Sequence, residues 1–226
     1  MSHRTNITRI RAVSNALGEL RDKVVFVGGA TVSLYADRLA TEVRPTDDVD
    51  IIIELATRWH FAEIDERLRQ MGFQLDTTAT FVGRYLLQGF VVDVMPLEEA
   101  ILGFSNRWYI QGYRTAMDCA IDDGPPIKIL NPPYFIATKL EAFQDRGEKD
   151  GRMSTDFEDI VFVLENRRSV WQEMKAADED VRAFLTEQFR ALRANPDIRE
   201  WIDGHSDFRS PPGSYFILPD MDQFLQ

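Results

Sequence analysis

Three aspartates stand where aspartate is hardest to keep. Asp48 and Asp50 open the apolar run Asp48-Val49-Asp50-Ile51-Ile52-Ile53. On an extended strand residues two apart project from the same face. Left unpaired, two such carboxylates repel by roughly 4 kcal/mol at an effective dielectric of about 20. They need a cation between or beside them, and an all-oxygen site selects a hard ion such as Mg²⁺ or Mn²⁺. Asp93 lies in a second apolar run, Gly89-Phe90-Val91-Val92-Asp93-Val94-Met95, with valine on either side. A carboxylate there is costly unless it is paired or metal-bound. Upstream, Val24-Val25-Phe26-Val27 runs into Gly28-Gly29 and then Ala30-Thr31. A strand, two glycines and a helix start can cradle a phosphate. Missing side chains let a ligand reach the backbone, and the N–H groups of a first helical turn point at it. A Gly-Gly pair by itself is also an ordinary tight turn.

Positioning these groups takes a small α/β core. Val24–Val27 is short and β-branched and reads as a buried strand; Ala30–Ala40, with Val32, Leu34, Tyr35 and Leu39, reads as a helix. The Asp48–Ile53 strand is followed by an amphipathic helix from Thr57 to Met71, carrying Trp59, Phe61, Ile64 and Leu68 and closed by Gly72. Strands are expected at 73–75, 81–87 and 90–95, with Gln88-Gly89 as the turn of a hairpin that brings Asp93 toward Asp48 and Asp50. Arg84 and Tyr85 could reach the same mouth, but Arg84 is expected on a solvated strand face. An N-terminal helix is marked by Ile7, Ile10, Val13, Leu17 and Leu20, capped by Thr5 or Asn6, with Arg4, Arg9 and Arg11 facing solvent. Trp108-Tyr109-Ile110 and 126–130 suggest short strands, with 115–119 as loop or edge.

Asn131-Pro132-Pro133 opens a helix whose buried side is Phe135, Ile136, Leu140 and Phe143. Lys139 and Arg146, seven apart, share one of its faces, and the residues alone favour Lys139 extending to solvent. A further helix begins at Ser154 or Thr155 and carries Asp156 and Asp159 in its first turn, where the helix dipole favours acids anyway. Polar amphipathic helices follow over 170–194 and 198–202, and 204–226 reads as an irregular tail. The expected architecture is α/β (α+β), a mixed sheet flanked by helices over 1–130 followed by a mainly helical region over 131–226.

The ordered set of Gly-Gly at a helix start, Asp-x-Asp some twenty residues on and a lone Asp in a later strand resembles the nucleotidyltransferase (DNA polymerase β-like) superfamily. Arg44-x-Thr46-x-Asp48-x-Asp50, then Lys139, Arg146 and Asp156-x-x-Asp159, is similar to the abortive-infection, type IV toxin–antitoxin branch of that superfamily. The likeness covers most of Val24 to Leu164, and the spacing between Arg146 and Asp156 is longer than the toxin pattern. What the resemblance implies is transfer of a nucleoside monophosphate from an NTP to a hydroxyl. Asp48, Asp50 and Asp93 would hold Mg²⁺ or Mn²⁺, with Asp93 able to accept the hydroxyl proton. Gly28, Gly29, Ala30 and Thr31 would meet the phosphates. Lys139 and Arg146 would neutralise pyrophosphate, while Arg44, Thr46, Asp156 and Asp159 support the site. It also implies an RNA acceptor and an antitoxin partner as expectations. A nucleotide-binding module without catalysis, or transfer to a small molecule or protein, stays open.

Bulk properties narrow the classes. Hydrophobic residues make up 44% of the 226, enough for a sizeable core, and 11% aromatics argue against disorder. A net charge of −11 argues against a broad nucleic-acid surface, since phosphate affinity comes mainly from Lys and Arg. Cys119 stands alone, which fits a reducing cytoplasm, and His3, His60 and His205 lack zinc-ligand spacing. No apolar run approaches membrane-spanning length, and a signal-peptide core is not expected.

Overall fold

A computed structural model describes residues 2–37, 43–55, 58–98, 101, 103, 105–146, 150–206 and 211–226. The chain forms two compact units, Met1–Leu34 with Thr41–Asn131, and Tyr35–Ala40 with Pro132–Gln226.

The first unit is built on a mixed sheet. Its strands are β1 (Val24–Val27), β2 (Asp48–Ile53), β3 (Gln74–Leu75), β4 (Arg84–Leu87), β5 (Phe90–Pro96), β6 (Met117–Cys119) and β7 (Ile127–Ile129). Among the described residues they stand in the order β3-β4-β5-β2-β1-β7-β6. β1 runs antiparallel to β2 and parallel to β7, while β2 runs parallel to β5. The central strands are covered on both faces, so β1 reads as unbroken valine and phenylalanine and is buried throughout. Among the described residues this unit carries the helices α1 (Ser2–Ala16), α2 (Arg58–Gln70) and α3 (Tyr109–Arg114). Ile10, Val13 and Leu17 of the α1 segment are fully buried, and α1 and α3 both pack against β2.

The turn between β4 and β5 sets the register that matters most. Gln88 and Gly89 take φ of +52° and +90°, the left-handed conformations a two-residue hairpin with right-handed twist demands. Partners then step outward from Leu87–Phe90 through Leu86–Val91 and Tyr85–Val92 to Arg84–Asp93.

Several expectations change. The segment after the two glycines is a 3₁₀ helix, Gly29–Tyr35, rather than an α-helix to Ala40; residues 38–42 lie outside the described part. α1 begins before Thr5 and Asn6, so neither caps it. Asn6 is instead buried and donates to the Arg44 carbonyl. Arg9 donates to the Thr46 carbonyl and Arg11 to that of Pro125 at 3.0 Å, so that face is not simply solvated. Trp59 is 82% exposed, leaving Leu68 as the buried anchor of α2. Trp108-Tyr109-Ile110 leads into helix α3; three aromatic or β-branched residues are too few to show a period, and packing decides.

The second unit is helical: α4 (Pro132–Asp145), α5 (Thr155–Asn166), α6 (Val170–Lys175), α7 (Glu179–Ala194), α8 (Ile198–His205) and α9 (Ser214–Phe224). Ser154 is the N-cap of α5, accepting from the Phe157 N–H at 3.3 Å. Phe143, Phe157 and Trp201 meet edge to face or tilted with centroids 5.6 to 6.2 Å apart. The expected irregular tail contains helix α9 despite Pro219 inside it. An interior proline costs about 3 kcal/mol. Burying Ile217, Leu218, Met221 and Phe224 offsets that, at roughly 1.5–3 kcal/mol for each side chain.

Candidate functional site

Strand pairing puts a row of charge across the sheet. Arg84 on β4 is the register partner of Asp93 on β5, and Asp93 is that of Asp50 on β2. Register partners project from the same face, and so does Asp48, two residues before Asp50. One carboxylate oxygen from each of Asp48, Asp50 and Asp93 lies within 4.8 Å of the others. Asp93 is buried and the other two are half-buried.

Asp93 is held by Arg84 in a bidentate pair, Nε to Oδ1 at 2.8 Å and Nη2 to Oδ2 at 2.7 Å. The expectation that Arg84 faces solvent is overturned. The Arg84 pKa is held above its ordinary value, first by this hydrogen bond and against the effect of burial. Coulombic attraction from Asp93, Asp48 and Asp50 adds to the rise. Sequence reasoning could have found this pairing, since a two-residue turn at Gln88-Gly89 dictates which residue faces Asp93. Tyr85, next along β4, points to the opposite face. It is buried there and its hydroxyl donates to Asp65 of α2 at 2.8 Å.

Gly28 closes against the acidic strand. Its φ is +71°, and a Cβ there would overlap Asp50 Oδ2 and stand 2.8 Å from Asp50 Cγ. Only glycine satisfies both the backbone and the carboxylate. Ala30 and Thr31 are fully buried. The Thr31 hydroxyl donates to the Gly28 carbonyl at 2.9 Å, as does its N–H at 3.2 Å, so both donors serve the turn. Thr46 Oγ1 lies 3.2 Å from the Asp48 carbonyl and 3.3 Å from Asn6 Oδ1, tying the entry of β2 to α1. Arg44 contributes its carbonyl to the same tie.

In the second unit Lys139, Asp156 and Asp159 form a buried cluster. The Lys139 ammonium is 2.9 Å from Asp156 and 2.6 Å from Asp159, and Arg146 reaches Asp156 at 3.1 Å. Lys139 therefore does not extend to solvent. Burial pushes its pKa down, but attraction to Asp159 and Asp156 and their hydrogen bonds more than offset that, leaving it raised. The two aspartates are nearly inaccessible, so they do more than occupy a helix dipole.

Three carboxylates with all-oxygen donors within 4.8 Å, one buried, fit a hard divalent cation. Among the described residues, no helix is long and apolar enough to cross a membrane.

No family model matches the chain, and no curated protein does. Solved structures do. The antibiotic-resistance factor ANT(2″)-Ia, determined in solution, superposes with a TM-score of 0.51 at 16% identity, over 85% of this chain and 96% of that one. ANT(2″)-Ia in complex with adenylyl-2″-tobramycin gives a TM-score of 0.50 at 15% identity, over 83% and 98%. A nucleotidyltransferase-like protein from Paracoccidioides brasiliensis gives 0.50 at 17% identity, over 90% and 94%. At such identities the likeness carries the fold: this chain has the architecture of nucleotidyltransferase-like proteins, a mixed sheet flanked by helices.

Proposed function

We propose that the chain is a divalent-metal-dependent nucleotidyltransferase. It would move a nucleoside monophosphate from an NTP to an acceptor hydroxyl and release pyrophosphate. The observation that carries this is the convergence of Asp48, Asp50 and Asp93 within 4.8 Å on one face of the sheet, beside a glycine that admits no side chain.

Asp48, Asp50 and Asp93 would hold Mg²⁺ or Mn²⁺, which when bound neutralises phosphate charge and polarises the reacting oxygens. Gly28 makes room for the Asp50 carboxylate, and the backbone N–H groups of Gly28 and Gly29 would meet a phosphate. In the transfer an acceptor oxygen bonds to the α-phosphorus, the bond to the β-phosphate oxygen breaks, and the acceptor proton passes to Asp93 or water. Alignment and electrostatics supply most of the rate. Ala30 and Thr31 support the turn, and Arg44 and Thr46 brace β2. By the resemblance alone Lys139 and Arg146 would be cations for the triphosphate. The pairing of Lys139 with Asp156 and Asp159 favours a buttressing part for it, while Arg146, with a side chain 61% exposed, has donors to spare.

In its finer form the acceptor is tRNA or another RNA, and the protein a growth-inhibiting toxin with a cognate antitoxin; the Arg44-to-Asp159 motif order favours this. A second acceptor class is a small hydroxylated molecule. It is favoured by the likeness to a structure holding adenylyl-2″-tobramycin and by the net charge of −11, which attracts cations and repels RNA.

The test is incubation with each α-labelled NTP, Mg²⁺ and either total RNA or a small-molecule extract. Label in RNA supports the toxin form, and label in small molecules supports the other. NTP binding with no transfer to any acceptor sinks the enzymatic reading. Asp48→Ala must abolish transfer in a folded protein.

A further inference from the structure

We propose that Arg84 is a resident counter-cation of the acidic site, occupying Asp93 in the metal-free protein and giving it up when a divalent ion takes that carboxylate. The idea rests on the function proposed above and concerns the same site.

Three observations carry it. Arg84 and Asp93 are register partners fixed by the two-residue turn, so their pairing is built into the hairpin. The pairing uses both Asp93 oxygens, at 2.8 and 2.7 Å, so an ion that takes Asp93 must share or displace the guanidinium. The two partners also differ in freedom. The Asp93 side chain is 10% exposed and that of Arg84 36%, so the arginine has solvent to move into and the carboxylate does not. Arginine keeps its charge at every accessible pH, so it cannot yield by losing a proton; it has to move.

Asp48 and Asp50 lie one strand farther from Arg84 than Asp93 does. Metal entry through those two carboxylates leaves the Arg84–Asp93 pair in place, whereas capture of Asp93 breaks it. Arg84 thus acts through Asp93 as a positioning residue that keeps the third ligand aimed while opposing idle metal uptake. A guanidinium so displaced is a planar donor suited to a phosphate oxygen.

The experiment is a Mn²⁺ titration, by electron paramagnetic resonance or calorimetry without nucleotide, of the full chain, of Arg84→Met and of Arg84→Lys. Removing a competing cation whose own side chain is 36% exposed predicts Mn²⁺ binding up to about fivefold tighter in Arg84→Met. Arg84→Lys, with a point charge that cannot grip both oxygens, should fall between and also serves if the Met variant folds poorly. Mn²⁺ should raise the melting temperature of Arg84→Met more than that of the natural protein, because the metal then replaces a missing cation. Equal or weaker Mn²⁺ binding in both variants, with the natural protein still binding, overturns the Arg84 inference and leaves the proposed function intact. Failure of all three proteins to bind Mn²⁺ removes the metal centre itself and both ideas with it.

Discussion

Gly28→Ala is the sharpest perturbation of the site, because it adds one methyl group and removes nothing. Two penalties arise and they can be separated. At φ +71° a residue with a Cβ bears roughly 1–2 kcal/mol of backbone strain. The new methyl also overlaps Asp50 Oδ2 and stands 2.8 Å from Asp50 Cγ. Carbon atoms rest at about 3.5–4 Å, so the carboxylate must retreat by about 1 Å. A ligand moved that far spoils metal geometry and substrate alignment, and misplacement by about 1 Å can cost on the order of 10²-fold in rate. Gly72→Ala provides the control. Its φ is +95°, and nothing lies within 4 Å of the added Cβ, so it bears the backbone penalty alone. Urea denaturation should show both variants destabilised, Gly28→Ala by the larger amount. Mn²⁺ affinity and transfer rate should fall only in Gly28→Ala, by about two orders of magnitude for the rate. If Gly28→Ala keeps Mn²⁺ affinity and rate within a factor of about three of Gly72→Ala, the close approach of Gly28 to Asp50 does not govern the site.

The aspartates should differ in the sign of their effect on stability without metal. Asp48→Asn relieves repulsion among three clustered carboxylates and should raise stability by up to about 1 kcal/mol, whereas Asp93→Asn strips the partly exposed Arg84 of its bidentate partner and should lower it by about 1 kcal/mol. Chemical denaturation in EDTA reads both, and a shared sign contradicts the charge row. Lys139→Met takes the ammonium from between the buried Asp156 and Asp159, and should cost about 3–5 kcal/mol of unfolding free energy. Because the Lys139 pKa is raised on folding, its stabilisation is complete below the ordinary lysine value of 10.5 and is lost as pH climbs through the higher folded value. Melting temperatures compared above pH 10.5 should therefore converge for the natural protein and Lys139→Met; a gap that stays constant with pH would show that the lysine acts by packing rather than charge.

Much of the acidic site is legible in the sequence. An Asp-x-Asp at a strand start and an aspartate between valines are local patterns, and each carries its own electrostatic demand. Non-local features were harder to read. Lys139 and its two aspartates come from helices α4 and α5, whose packing no period reveals, so the residues alone favour a solvated lysine. Pro219 hid α9 because local propensity opposes a helix that burial then sustains. The 3₁₀ segment after Gly29 looked like an α-helix because Val32, Leu34 and Tyr35 fit either turn.

Arg84 belongs to neither group, and that makes it the more instructive residue. Its role was encoded by Gln88-Gly89, since a two-residue turn leaves no freedom in the pairing four rungs away. Propensity alone, which treats an exposed charge on a strand as ordinary, pointed to solvent. The two arguments weigh unequally. A strand-face preference is worth a few tenths of a kcal/mol, whereas a one-residue slip of β4 would turn Leu87 and Tyr85 out of the core and cost several. Register therefore wins and sets an arginine beside the buried carboxylate. The site therefore carries its own cation, held on Asp93 by the same pairing that fixes the hairpin.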